Sequence, residues 1–349
     1  MVSKAMIMAA GAGSRLNPLT LEVPKPLIPV ANSPVMEITV NHLIKYGITD
    51  IVANTHTLAS QIHDKFKDNE SINFEYVYEG QLSGTAGGVK KCEYFFDKGE
   101  DFIVISGDAL TDINLNTIIN AHKNNNAIAT IALKEVPIED VHLYGVVITD
   151  ENSKITEFQE KPPVEEAKSN LVNTGIYVFN SKIFDYIPIS SFYDFAKNVF
   201  PALLENNEKF HGFKIDDYWN DIGTFEQYKA TTVDILLNKV KVDVPHLDFE
   251  NGWHCESCKV CECVEFYGKA IVGSNSVIEN KVKIYGNCVI GNNCTIKANA
   301  VLKDVILWDN ITIEENAHLE NCIIGNDVTI ASFEKLNGEI ITNSQLSKI

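Results

Sequence analysis

Residues 9–29 read Ala9-Ala10-Gly11-Ala12-Gly13-Ser14-Arg15-Leu16-Asn17-Pro18-Leu19-Thr20-Leu21-Glu22-Val23-Pro24-Lys25-Pro26-Leu27-Ile28-Pro29. The apolar run from Ala5 to Ala10 ahead of them has the composition of a buried first strand. Gly11 and Gly13 flank Ala12, so the backbone there can turn tightly and approach a ligand. Arg15 adds a permanent positive charge just beyond the glycines, and Lys25 is held between Pro24 and Pro26. Small residues, backbone N–H groups and two cations make a seat for a polyphosphate. The stretch is neither of two familiar loops. A dinucleotide fingerprint needs a third glycine where Leu16 stands, and a P-loop needs a Gly-Lys-Ser/Thr that is absent.

Outward from this loop, strand and helix patterns alternate. Val35 to Tyr46 has helical spacing, with Met36, Val40, Leu43 and Ile44 on one face and Gly47 closing it. Asp50 to Asn54 and Phe74 to Tyr78 read as strands, with a short helix over Leu58 to Phe66 between them. The Glu79 to Val89 segment reads as a glycine-rich loop before a helix around Lys90 to Phe95. Phe102 to Ile105 is a compact apolar run suited to a central strand, and Ser106-Gly107-Asp108 follows at its carboxyl end. Asp108 there suits either a hard cation or a helix cap. Ala127 to Lys134 is a further strand, and Tyr144 to Ile148 with Lys154 to Phe158 form a hairpin pattern. The alternation predicts an α/β, Rossmann-like domain with a mixed, mainly parallel sheet, whose ligands bind at the carboxyl ends of the strands.

The periodicity changes after about residue 253. Val272, Ile278, Ile284, Ile290, Ile296 and Leu302 recur every six positions, with Ser276, Val282, Cys288, Cys294 and Ala300 filling a second place in each hexad. After a break near Trp308 the pattern resumes at Ile313 and Leu319, then at Ile324 and Ile330 after a one-residue slip. This is the signature of a parallel β-helix. The expected organisation is the α/β domain over 1–240, a linker over 241–253, a β-helix over 254–333 and a tail over 334–349.

Of eight cysteines, Cys255, Cys258, Cys261 and Cys263 crowd together. Their spacing suits a zinc ion, or they are reduced packing residues of the repeat. The register extrapolates to an inward place for Cys258, which favours packing. The chain has 349 residues, 45% hydrophobic and 22% charged, with a net charge of −18. That charge argues against nucleic acid or an anionic membrane as partner, but not against a phosphorylated substrate in a local basic pocket. No apolar run is long enough to span a membrane, and the apolar start of the chain is too short to read as a leader, so the expected location is cytoplasmic.

The Gly-x-Gly-x-Arg, Pro-Leu-Thr and Pro-Lys-Pro elements of residues 11–26 resemble the signature loop of the NDP-sugar pyrophosphorylases, the sugar-1-phosphate nucleotidyltransferases. The resemblance extends through Gly107-Asp108, Glu160-Lys161-Pro162, Asn173-Thr174-Gly175 and Tyr218 to Thr224, and into the hexads. It implies transfer of a nucleotidyl group from an NTP to a sugar 1-phosphate. Ala10, Gly11, Ala12, Gly13, Arg15, Lys25, Glu79, Gly84, Thr85 and Asp108 would then bind the nucleotide. Gly145, Glu160, Lys161, Asn173 and Thr174 would bind the sugar phosphate. Asp108 and Asp221 would hold Mg²⁺, and Arg15, Lys25, Asp108, Lys161 and Asp221 would carry catalysis. In the family the β-helix is left-handed and often makes oligomer contacts, so a homo-oligomer is expected. Within the family, Gly84-Thr85-Ala86-Gly87 and Tyr193-Asp194-Phe195 look most like mannose-1-phosphate guanylyltransferases. The expected reaction is therefore GTP with mannose 1-phosphate to GDP-mannose, with UTP and glucose 1-phosphate to UDP-glucose as the alternative. A non-catalytic relative would be expected to lack the charged residues that are present here, and an acyltransferase would rest on His318 alone.

Overall fold

The computed structural model describes residues 2–189, 192–244, 253–254 and 257–346; the side chains of 253, 254 and 346 fall outside the description. By internal contacts the chain forms two compact units, one of Met1–Ala12 with Thr39–Asp221, the other of Gly13–Ile38 with Ile222–Ile349.

The first unit is built on β1 (Lys4–Met8), followed by β2 (Asp50–Thr55), α1 (Ala59–Phe66) and β3 (Asn73–Tyr78). Next come α2 (Gly84–Lys91), β4 (Asp101–Ser106), β5 (Ala109–Thr111), α3 (Leu115–Asn125) and β6 (Ala129–Glu135). β7 (Gly145–Thr149), β8 (Ile155–Glu160), β9 (Leu171–Asn180), β10 (Phe210–Ile215) and β11 (Trp219–Asp221) complete it. A nine-stranded sheet runs in the order β8-β7-β9-β4-β1-β2-β3, with β6 beside β9 and β10 beside β6. β1 pairs in parallel with β2 and β4, and β2 with β3, whereas β9 is antiparallel to β4, β6 and β7. Ile103, Val104 and Ile105 are fully buried, as a continuous apolar strand in the middle of a sheet should be. A core of Phe102, Phe179, Phe195, Phe200 and Phe210 packs with Val104 and Ile131.

One segment departs from the sequence reading. The helix expected around Lys90 to Phe95 begins instead at Gly84 and ends at Lys91. Ala86, Gly87, Gly88 and Val89 are buried, so these small residues pack the helix closely rather than loosen a loop.

The second unit contains the segment from Gly13, the helices Val35–Lys45 in its first residues and α4 (Phe225–Leu236), and the β-helix. Thr224 caps α4, accepting from Gln227 N. The β-helix has three strand faces. Lys259, Val277, Thr295, Thr312 and Thr329 mark successive coils on one; Glu265, Lys283, Val301, His318 and Lys335 mark them on another. The break seen near Trp308 is a step of five positions from Leu302 to Leu307, both fully buried. The same five-residue step recurs one coil later from Leu319 to Ile324, again between two fully buried residues. The slip therefore belongs to one face and shortens each coil there by a residue. Parallel pairing continues beyond residue 333, through Lys335–Asn337 and Ile340–Ile341, and Asn343–Leu346 is helical. Asn275, Asn293, Asn310 and Asp327 turn one corner in left-handed conformation, and their side chains bond to each other along the coils at 3.0–3.4 Å. Asn and Asp tolerate that conformation best after glycine.

Cys288 and Cys294 are fully buried inside the coils, as the hexad pattern places them. The reading of Cys258, Cys261 and Cys263 as reduced packing residues is corrected. Cys258 is disulfide-bonded, and Cys261 and Cys263, though free thiols, are exposed at a corner between strands rather than packed in the coil. Cys255 and most of the linker over 241–253 lie outside the described residues.

Candidate active site

Because β1, β2, β3 and β4 are mutually parallel, their carboxyl ends share one edge of the sheet. A buried polar network occupies it. Asn54, at the end of β2, accepts from Ala9 N at 3.0 Å and donates to Glu79 Oε1 at 2.6 Å. Glu79 Oε2 accepts from Ser83 N at 3.1 Å, from the Ser83 hydroxyl and from Lys91 Nζ at 2.9 Å. The carboxylate is only 1% exposed. Burial alone would raise its pKa, but the bonds from Ser83, Lys91 and Asn54 outweigh that and hold it below the usual carboxylate range. The first turn of α2 is clasped from the other side. Tyr193 O accepts from Ala86 N and Gly87 N at 3.0 Å, and the Thr85 hydroxyl donates to Asp194 Oδ2 at 2.9 Å and accepts from Phe195 N. Gly84 has φ of +77°, and a Cβ there would lie 2.4 Å from Tyr193 O. Only glycine fits both demands.

Asp108 follows β4, and its Oδ1 accepts from the Ser106 hydroxyl at 2.5 Å. β5, the next three residues, pairs antiparallel with β11, and Asp221 stands opposite Ala109. Asp108 immediately precedes β5, so the backbones of the two aspartates, far apart in sequence, lie one register position apart at this pairing. Tyr144 donates to Asp221 Oδ1 at 3.4 Å, and its own carbonyl accepts from Lys161 N at 3.1 Å. Lys161 has a left-handed φ of 47°, uncommon outside glycine and asparagine. Glu160 lies opposite Gly145 in the β7–β8 ladder. Asn173 Oδ1 accepts from Gly175 N at 3.0 Å, while its amide donates to the buried Tyr177 hydroxyl. The Thr174 hydroxyl donates to Ala132 O at 2.8 Å, and the Thr174 carbonyl accepts from the Trp219 indole.

Asn54 and Tyr144 carry much of this geometry and were not singled out from the sequence. The available signal was position alone, since each stands at the end or start of a strand that the pattern does mark.

In the second unit, the signature stretch winds through three short 3₁₀ turns, Ser14–Leu16, Leu19–Leu21 and Lys25–Leu27. The Thr20 hydroxyl donates to Gly13 O at 2.9 Å and to Asn17 Oδ1 at 2.7 Å. Gly13 has φ of +62°, and a Cβ on it would approach Thr20 Cγ2 to 2.9 Å and Lys25 Cβ to 3.2 Å. Arg15 is exposed, and Lys25 is half-buried. By contrast, a Cβ on Gly11 would meet no protein atom within 4 Å. Among the described residues, no cluster of three or more His, Cys, Asp or Glu side chains is placed to hold a metal ion. A pair of carboxylates fits Mg²⁺ nonetheless, because that ion usually takes one or two carboxylates and completes its shell with substrate phosphates and water.

The chain thus combines an α/β sheet, with acidic and polar groups at the carboxyl ends of its strands where ligands of such sheets bind, and a hexapeptide β-helix that follows in sequence. Residues 4–237 match the family model described as nucleotidyl transferase, and residues 266–347 match the one described as GMPPB C-terminal domain. The chain belongs to the nucleotidyl transferase family, in agreement with the resemblance of its signature loop to the sugar-1-phosphate nucleotidyltransferases. A UTP–glucose-1-phosphate uridylyltransferase from Synechocystis is 37% identical over 321 residues, covering 88% of this chain and 83% of its own. A mannose-1-phosphate guanylyltransferase from Mycobacterium tuberculosis is 31% identical, covering 66% of this chain and 64% of its own. A solved UDP-glucose pyrophosphorylase from Acinetobacter baumanii shares the fold, with a TM-score of 0.61 at 23% identity over 69% of this chain and 96% of that one. No helix among the described residues is long and apolar enough to cross a membrane.

Proposed function

We propose that this protein transfers a nucleotidyl group from an NTP to a sugar 1-phosphate, giving an NDP-sugar and pyrophosphate. The observation that supports the reading is the β5–β11 pairing, in which Asp221 stands opposite Ala109, the residue after Asp108. A phosphate oxygen of the sugar 1-phosphate attacks the α-phosphorus in line. The bond from that phosphorus to the β-bridging oxygen breaks, and pyrophosphate departs. No protein nucleophile is needed; the protein positions the reactants and offsets their charge.

In this reading Arg15 and Lys25 neutralise the triphosphate, and Ala10, Gly11, Ala12 and Gly13 present backbone to it. The open space at Gly11 is consistent with a ligand approaching there. Lys161 binds the attacking phosphate, with Glu160, Gly145, Asn173 and Thr174 around the sugar. The hydroxyl of Thr174 is already engaged with Ala132, so its part is to hold the strand. Gly84 and Thr85 bound the base, with Glu79 behind them. Asp108 and Asp221 would hold Mg²⁺, which when bound offsets the charge of the phosphates. The β-helix carries contacts between copies in a homo-oligomer, and the protein works in the cytoplasm.

For base and sugar we favour UTP and glucose 1-phosphate. The Synechocystis uridylyltransferase aligns across most of both units at 37% identity. GTP and mannose 1-phosphate is the second reading, supported by the GMPPB C-terminal domain match over 266–347. Pyrophosphate release from each of the four NTPs with glucose or mannose 1-phosphate, with and without EDTA, tests both. Release with UTP and glucose 1-phosphate, abolished by EDTA and restored by Mg²⁺, is expected. Exclusive use of GTP and mannose 1-phosphate would reverse the substrate assignment, and no release with any pair would refute the activity.

A further inference from the structure

The loop with Cys261-Glu262-Cys263 joins the strand Lys259–Val260 to Glu265–Val272 in the β-helix. Its ends are pinned to the next coil: Cys261 N donates to Ile278 O at 2.9 Å and Glu265 N to Val282 O at 3.0 Å. A turn closes the loop, with Val264 N donating to Cys261 O at 3.1 Å. Held this way, the two thiols face each other with their sulfurs 3.0 Å apart, and both are exposed.

The other free cysteines among the described residues are a contrast. Cys92, Cys288, Cys294 and Cys322 are buried. Burial pushes the Cys92 and Cys288 thiols up to about 12 and that of Cys294 to about 11, so they are inert as nucleophiles near neutral pH. Cys263 moves the other way. The Cys261 thiol bonded to it lowers its pKa, helped by the backbone and the charge of Lys281. A lowered thiol pKa, exposure and a resolving thiol in contact are the attributes of a redox-active cysteine pair.

We propose that Cys261 and Cys263 form a dithiol site that reacts with low-molecular-weight disulfides and closes to an intrachain disulfide. Cys263 gives its proton to solvent and the thiolate attacks one sulfur of the small disulfide; a bond forms between them, the small S–S bond breaks and the first small thiolate leaves and takes up a proton. Cys261 gives its proton to solvent and attacks Cys263 Sγ, and the second small thiolate leaves. The protein pair loses two electrons and two protons, and the small disulfide is reduced to two thiols. The sulfurs need approach by only about 1 Å to reach bonding distance, near 2.05 Å. Because the product is exposed, a dithiol reductant reopens it.

The sequence supplies a clean assay. Cleavage after Lys259 and Lys269 releases a peptide with Cys261 and Cys263 as its only cysteines. The full chain is reduced, desalted, incubated with oxidised glutathione as probe, alkylated and mapped by mass spectrometry. The expected peptide is lighter by two hydrogens, takes no alkyl group and reverts with dithiothreitol. In Cys261→Ser the reaction should stop at a glutathione adduct on Cys263. The proposal is overturned if both thiols of the wild-type chain remain open to alkylation. It is also overturned if a glutathione adduct persists unresolved in the wild type, or if the peptide is recovered joined to the Cys258 peptide or to a second chain.

Discussion

At Glu79, burial and hydrogen bonding oppose each other, and bonding wins. The folded pKa lies below the unfolded one, near 4.3 for a glutamate, so the carboxylate's contribution is present above that value. It is lost as pH falls through the lower folded pKa. Replacing Glu79 by Ala leaves Asn54, Ser83 and Lys91 without their acceptor, and should cost about 2–3 kcal/mol at neutral pH. Urea unfolding of wild type and Glu79→Ala at pH 7 and in acid checks this: the gap should narrow below about pH 4, and a constant gap would assign the loss to packing. Asp108 is different in kind. Asp108→Asn keeps the shape and removes the charge, so turnover should fall by about 100-fold or more while the melting temperature stays within a few degrees. Full activity in that variant would remove Asp108 from the proposed metal site.

Among the elements, α4 ties distant parts of its unit together through one side chain. Tyr228 on it is fully buried, accepts from the Trp308 indole at 2.9 Å and donates to Pro29 O at 2.7 Å. One hydroxyl therefore joins a β-helix coil, a helix and the end of the signature stretch. Tyr228→Phe strands both partners in a dry interior and is expected to lower the unfolding free energy by about 2 kcal/mol. Chemical denaturation measures it directly, and an unchanged midpoint would mean that water replaces the hydroxyl. The elements also explain an error in the sequence reading. Ser83-Gly84-Thr85-Ala86-Gly87-Gly88 has the composition of a loop, yet it starts a helix. Its glycines answer to close packing and to the Tyr193 carbonyl, which no local propensity reports.

Over the whole molecule, the chain is interleaved. Gly13–Ile38 belongs by contact with the unit that contains the β-helix, although Thr39–Asp221 does not. Asn32 donates to Ile290 O at 2.8 Å, and Ser344 N donates to Glu22 Oε1 at 2.6 Å. The stretch with Arg15 and Lys25 is thus seated by residues more than two hundred positions later. A chain ended after Val240 lacks those partners. Displacement of a reacting group by about 1 Å can cost on the order of 100-fold, so its kcat/KM should drop by that order. A truncated chain with wild-type kcat/KM would show that the signature stretch holds its conformation alone.

The sequence by itself determined the alternating α/β pattern, the strand after which Asp108 falls, the signature stretch and the hexads, because each is a local signal of periodicity, glycine placement or fixed charge. Even the five-residue step at Leu302 was visible there as a break, though its recurrence on one face was not. Tertiary structure alone decided which distant groups meet: Asp221 opposite Ala109 through β5 and β11, Tyr144 between Asp221 and Lys161, and Asn54 between Ala9 and Glu79. It also left Cys261 and Cys263 at an exposed corner, whereas Cys288 and Cys294 lie inside the coils as their hexad places predict. Register across a sheet and the closure of a coil set these meetings, and neither is encoded within the few residues on either side of a motif.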